Sequence, residues 1–237
     1  MSRPKAAPRR PYVLVNAAMT ADGKIATSTH SVHTFGSPRD LRHLYELRAT
    51  ADAVLCGART LEETRASLGN GGERFTRLRI RRRLASHPLR IVVSGAGTLA
   101  SDAELWRHSF SPVVVLVSRE APARQRERLK ELADAVWISP GRDVDFPRAL
   151  SWLDAEFGVR RLVCEGGATV NDAMFRAHLV DELHLTVCPL IFGGRTAPGL
   201  SEGVGRRLMA EADRFQLRSV RSRDEELFLV YDAVGAP

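Results

Sequence analysis

The 237 residues, 44% of them hydrophobic, are enough for one large unit with a sizeable core, and the abundance of aliphatic runs favours one unit over two. No run approaches the ~18 continuous apolar residues of a membrane span and the N-terminus lacks a secretory apolar core, so a cytoplasmic protein with no membrane role is expected. A net charge of +7 raises nucleic acid as a partner. Yet the densest basic run, residues 74–83 (RFTRLRIRRR), has no RNP-like aromatic pair or KH-type GxxG around it, and a solvated basic segment is the simpler reading.

Residues 1–10 are rich in proline and basic residues without periodicity and read as a flexible tail ahead of a single domain over residues 11–237. Residues 12–18 (YVLVNAA) form an apolar run of strand length, as a strand buried on both faces requires. Asn16 interrupts it, either as a structural hydrogen-bonder or as a group facing a ligand at the sheet's end. Asp22-Gly23 marks a turn, and residues 25–35 make a polar loop rich in Ser, Thr and His, able to close over a pocket. Ser37-Pro38 then opens a helix with a cap and a proline at its first position. Leu41, Leu44, Tyr45 and Leu47 give that helix an apolar stripe ending near Thr50. Arg48 falls on its last turn, where it either offsets the helix dipole or reaches a ligand.

Residues 51–56 are the next strand, followed by Gly57, Thr60 and a helix through Leu68, while glycines and charges make residues 69–83 an insertion or exposed loop. Residues 90–93 form a strand ending in Ser94-Gly95-Ala96-Gly97, a turn suited to lie near phosphate. A strand at 113–117, a basic amphipathic helix at 122–132, a short strand at 135–138 and a helix at 146–157 follow. This alternation argues for an α/β fold whose sheet is mostly parallel and covered by helices on both faces. The end of the chain differs: residues 183–187, 215–221 and 227–231 read as strands with a turn at 222–225, an antiparallel edge on a parallel core.

The richest stretch lies between these halves. Residues 161–164 are a short apolar run, Glu165 follows, Gly166 and Gly167 free the backbone to turn, and residues 168–177 repeat apolar side chains at helical spacing. A helix start emerging from a strand end presents unpaired N–H groups and a positive dipole, which suits a pyrophosphate; the plainer alternative is glycine used for turn geometry alone. Glu165 likewise serves either a ligand or the helix start. The three cysteines sit singly in apolar runs and read as buried thiols, and the seven histidines form no metal-ligand spacing, so no metal is expected. No GxSxG elbow is present, which leaves chemistry carried by a cofactor as the natural reading.

Residues 15–26 (VNAAMTADGKIA), 46–60 (ELRATADAVLCGART), 89–94 (LRIVVS), 162–194 (LVCEGGATVNDAMFRAHLVDELHLTVCPLIFGG) and 227–233 (LFLVYDA) together resemble the pyrimidine reductase domain of riboflavin biosynthesis, which is related in fold to dihydrofolate reductase. The resemblance spans about residues 10–234, and with no zinc-deaminase signature of the HxE and PCxxC kind it looks like the free-standing form. It implies a homodimer in which NADPH delivers a hydride to the ribose C1′ of a phosphoribosylamino-pyrimidine. It also implies cofactor contacts at Ala18, Thr34, Gly57, Thr60, Ser94, Gly166, Gly167, Ala168, Thr169, Val170 and Asn171, and substrate contacts at Asn16, Arg48 and Glu165, with Asn16 and Glu165 catalytic. On this reading Arg48 holds the ribose phosphate. The chain departs from the family where Leu61-Glu62-Glu63-Thr64-Arg65 replaces an expected Asp-Asp-Pro, which leaves open a dihydrofolate-reductase-like enzyme of other substrate. From a different class, an arginine-rich nucleic-acid-binding protein on an inactive reductase fold is the competing reading.

Overall fold

The computed structural model describes residues 10–31 and 35–234; the tail expected at residues 1–10 thus lies outside the described residues except for Arg10, as does Thr34. The described chain forms β1 (Tyr12–Thr20), α1 (Pro38–Arg48), β2 (Ala53–Gly57), α2 (Ala58–Thr64), α3 (Glu73–Arg81), β3 (Leu89–Val93), β4 (Val113–Val117), α4 (Ala123–Leu132) and β5 (Ala135–Ile138). It continues through α5 (Phe146–Phe157), β6 (Arg161–Cys164), α6 (Ala168–Arg176), β7 (Glu182–Cys188), β8 (Phe215–Arg223) and β9 (Glu226–Ala233).

All nine strands join one sheet in the order β5-β4-β3-β2-β6-β1-β7-β9-β8. The first seven pair in parallel, and β9 and β8 close the far side antiparallel. Parallel strands need helical crossovers that cover both faces, so their residues are apolar on both sides. Val13, Val15, Leu55, Leu162 and Cys164 accordingly pack under α5 and α6, while Leu14, Val54, Cys56 and Val163 pack with Leu47 of α1 and Leu61 of α2. No helix among the described residues is long and apolar enough to cross a membrane.

The local signals act as their chemistry requires. Ser37 caps α1, its side chain accepting from the Arg39 and Asp40 amides, with Pro38 behind it. Gly158 ends α5 in the left-handed region, and Asp224 and Glu225 (φ 50° and 68°) form the two-residue primed turn that matches the twist of the β8–β9 hairpin.

Two expectations change. The helix after Gly57 stops at Thr64, with Arg65 left-handed beyond it, rather than at Leu68. The exposed loop expected at residues 69–83 contains α3, and Arg79 on it is fully buried. Its guanidinium donates to the carbonyls of Arg48 and Ala51 (2.5 and 2.7 Å) and of Ala85 (2.7 Å). Arg79 thereby satisfies carbonyls at and beyond the end of α1, which explains a fully buried cation in a run that composition alone marks as solvated. Its burial pulls the guanidinium down to about 10.

Candidate active site

The chain leaves β1, passes over β6 and lands on β2, then works outward before returning to fill the gap with β6. That reversal opens a crevice at the carboxyl ends of β1, β6, β2 and β3, the place where open α/β sheets take ligands. Two cavities share it. A groove of about 410 Å³ is lined by residues 57–60, 94–96 and 167–170 together with Ile25, Ala26 and His30 of the long loop after β1. A cleft of about 490 Å³ beside it is lined by Asn16, Ala18, Asp40, Tyr45, Arg48 and Glu165, among others, and the two share Ile25, Thr60 and Gly167.

The floor of the groove is the start of α6. Glu165 N–H donates to the Leu55 carbonyl at 2.8 Å and Gly57 N–H to the Gly166 carbonyl at 2.7 Å, so the β6 and β2 ends are locked together. Gly166 (φ 76°) and Gly167 (φ 49°) then turn the chain into the helix, and the N-cap has no side-chain hydrogen bond. A β-carbon on Gly167 would stand 2.6 Å from Thr60 Oγ1, so glycine is required here by close approach as well as by φ. The first-turn amides of α6, with the positive end of its dipole, face a groove that also receives the Ser94-Gly95-Ala96 turn. Such a surface holds an anionic bridge through backbone amides.

The cleft is built from side chains instead. Arg48 grips Glu165 at both oxygens, Nε to Oε1 at 2.5 Å and Nη2 to Oε2 at 2.6 Å, and gives Nη1 to the Gly69 carbonyl at 2.5 Å. The two side chains are 7% and 11% exposed. Burial works against the Arg48 charge, but the Glu165 charge and hydrogen bonds outweigh it and raise the guanidinium above its ordinary value. Glu165 is thus fixed at the end of β6, pointing its remaining lone pairs at the cleft. Arg48 spends three N–H groups on this task, so the phosphate role expected of it rests on the two that remain. The thiols of Cys56 and Cys164 are pushed up by burial, the second to about 12, and are unreactive neighbours.

Of the residues named from sequence, Gly57, Thr60, Ser94, Gly167, Ala168, Thr169 and Val170 line the groove, and Asn16, Ala18, Arg48 and Glu165 line the cleft. Asn171 also lines the cleft, nearly buried and with its amide donating to the Leu200 carbonyl at 2.8 Å, while Gly166 turns its carbonyl to Gly57 and shapes the turn from within. Thr34 lies outside the described residues. Sequence reasoning missed Asp40, and the available signal was Ser37-x-x-Asp40, a capping-box pattern that reads as purely structural. It also missed a chain on the same face of the sheet, in which half-buried His43 of α1 meets buried His184 at 3.1 Å and His184 meets Glu182. Burial, then the neighbouring His184, lowers His43 to about 4.

Comparison with known proteins adds an independent line. Residues 11–229 match the model of the RibD C-terminal domain. The 2,5-diamino-6-ribosylamino-4(3H)-pyrimidinone 5′-phosphate reductase of Methanothermobacter thermautotrophicus is 35% identical over 95% of this chain and 100% of its own length. Among solved structures, a pyrimidine reductase-like protein of Corynebacterium diphtheriae superposes with a TM-score of 0.84 at 20% identity, covering 95% of this chain and 93% of that one. RibD of Acinetobacter baumannii superposes with a TM-score of 0.76 at 22% identity over 95% of this chain, which spans 58% of the RibD chain. These last two report the fold, a mostly parallel sheet with an antiparallel end.

Proposed function

The chain belongs to the family of RibD C-terminal domains, and from that premise we propose that it reduces 2,5-diamino-6-ribosylamino-4(3H)-pyrimidinone 5′-phosphate with NADPH. One observation carries the reading: an uncapped helix start in a groove opens directly onto a cleft whose wall holds a clamped carboxylate. The groove fits a dinucleotide. Gly167 stands where any β-carbon would strike Thr60, so the backbone there is kept clear, and the amides of Ala168, Thr169 and Val170 are placed for a pyrophosphate, with Gly57, Thr60 and Ser94 along the walls. Arg59 at the groove, and Arg142 and Arg176 in the adjoining cavity, supply cations of the kind a 2′-phosphate requires.

A nicotinamide held in this groove would supply a hydride to the C1′ carbon of the substrate's ring-opened sugar imine. Glu165 orients the pyrimidine by accepting from its donors, and Arg48 holds that carboxylate still by gripping both oxygens. Asn16, midway along β1, offers an amide for the heterocycle, and Ala18 lines the same cleft. The residues work as one reductase unit in the cytoplasm. A homodimer is proposed on the strength of β8, a nine-residue edge strand carrying exposed Leu217 and Val220 (50% and 52%) that would otherwise invite unspecific pairing.

The test is to follow loss of the reduced nicotinamide with the diamino-pyrimidinone phosphate, its uracil counterpart and dihydrofolate, each with NADPH and NADH. Turnover of a phosphoribosylamino-pyrimidine with NADPH preferred is the expected result. Turnover of dihydrofolate alone, or salt-sensitive binding of RNA or DNA with no reductase activity, overturns it.

A further inference from the structure

Asp40 lies one turn into α1, nine-tenths buried, on the wall of the cleft. A carboxylate three residues after a serine cap ordinarily reaches back to the cap's own amide. Here that amide is taken: Ser37 N–H donates to Glu226 Oε1 at 2.7 Å and Ser37 Oγ–H to Glu226 Oε2 at 2.6 Å. The distant β9 carboxylate therefore does the work of the capping box, and Asp40 is released from it.

Asp40 Oδ1 is left without a hydrogen-bond partner among the described residues, and no cation pairs with the group. Asn16 Oδ1, on the same face of the sheet and lining the same cleft, is in the same state, with its side chain also nine-tenths buried. Two buried acceptors without donors are costly by roughly 1–3 kcal/mol each, a cost that native proteins keep where a ligand completes the bonds. Room is also reserved for the carboxylate, because a β-carbon on Gly36 would stand 2.3 Å from Asp40 Oδ2.

We infer that Asp40, with Asn16 beside it, is the specificity-determining acceptor of this cleft, and that it reads the adjacent ring N–H and exocyclic amino group of a 2-amino-4-oxopyrimidine. A carboxylate matches that pair of neighbouring donors with two parallel hydrogen bonds. A 2,4-dioxopyrimidine offers one N–H between two carbonyl oxygens, which a carboxylate repels. Burial raises the Asp40 carboxyl, against a hydrogen bond from the neighbouring Thr186 side chain and with the Glu226 charge adding to it, and Oδ1 still stands open to a donor from a ligand. Glu165, already held at both oxygens by Arg48, is left to orient the substrate near C1′.

The inference rests on the reductase reading above, and its test separates the two. Steady-state rates are measured with the diamino-pyrimidinone phosphate and with its 2-oxo counterpart for the natural protein, Asp40→Asn and Gly36→Ala. Asparagine keeps the size but pairs one acceptor with one donor, which suits the N–H and O2 of the oxo compound. The amino-to-oxo ratio of kcat/KM is expected to fall by about 100-fold or more in Asp40→Asn, the scale set when a buried polar partner is mismatched, and to fall in Gly36→Ala through displacement of the carboxylate. An unchanged ratio in Asp40→Asn, with only Tm lowered, identifies a helix-start charge and overturns the inference while leaving the reductase reading standing. Failure of the natural protein to reduce either compound overturns both.

Discussion

The two cavities of the crevice lie side by side yet are made of different material. The groove is backbone, with the turns after β2, β3 and β6 and the first amides of α6, and its shape depends on where glycine sits. The cleft is side chain, with ion pairs and lone acceptors brought together from residues as far apart as Arg48 and Glu165. A backbone site tolerates change in most of its side chains but none at its glycines. A side-chain site should respond to single charge changes in both stability and turnover, because the buried charges of Arg48 and Glu165 balance each other.

Replacing Arg48 tests that contrast most severely. Arg48→Met leaves Glu165 buried with no counter-charge, and a loss of roughly 3–5 kcal/mol in unfolding free energy is expected, together with loss of turnover. Arg48→Met combined with Glu165→Gln should recover most of the stability and none of the activity, and a denaturant series with turnover assays on the three proteins reads both. If the single variant unfolds at the natural midpoint, the pair contributes nothing and the cleft is not organised as described.

In the groove, Gly167→Val forces a branched side chain into positive φ and against Thr60 Oγ1. The NADPH dissociation constant, read by fluorescence titration, should rise by ~100-fold or more, about 2.7 kcal/mol, whereas Thr169→Val beside it should change affinity by only a few-fold. Equal losses in the two variants would mean that the site reads side chains after all.

The smallest effect concerns the His43–His184–Glu182 chain behind the cleft. His43 is lowered to about 4 in the folded protein against an ordinary value of 6.5, so between those values the unfolded chain binds more protons. Stability is therefore full above pH 6.5 and declines as pH falls toward 4. His43→Gln should flatten Tm over that window, and an undiminished slope would assign it to other groups.

The same contrast explains what could be read from sequence. Strand and helix alternation, the Ser37-Pro38 start and the strand-to-glycine turns are local signals, and nearly every strand fell where apolar runs placed it. The groove was legible because Gly166-Gly167 marks it directly. In the cleft, Asn16, Ala18, Arg48 and Glu165 were reached through the family resemblance and their pairings were not, since Arg48 meets Glu165 across 117 positions and Glu226 reaches Ser37 across 189, and nothing in a local pattern reports such contacts. Asp40 was passed over for that reason, and the buried Arg79 was read as one more solvated arginine.

The most direct measurement is a crystal structure of the protein soaked with NADP⁺. The account places the pyrophosphate within hydrogen-bond distance of the Ala168, Thr169 and Val170 amides and the nicotinamide at the junction beside Thr60 and Gly167, facing Glu165. A dinucleotide seated elsewhere, or absent at saturating concentration while the α6 start is covered by protein atoms, would contradict it.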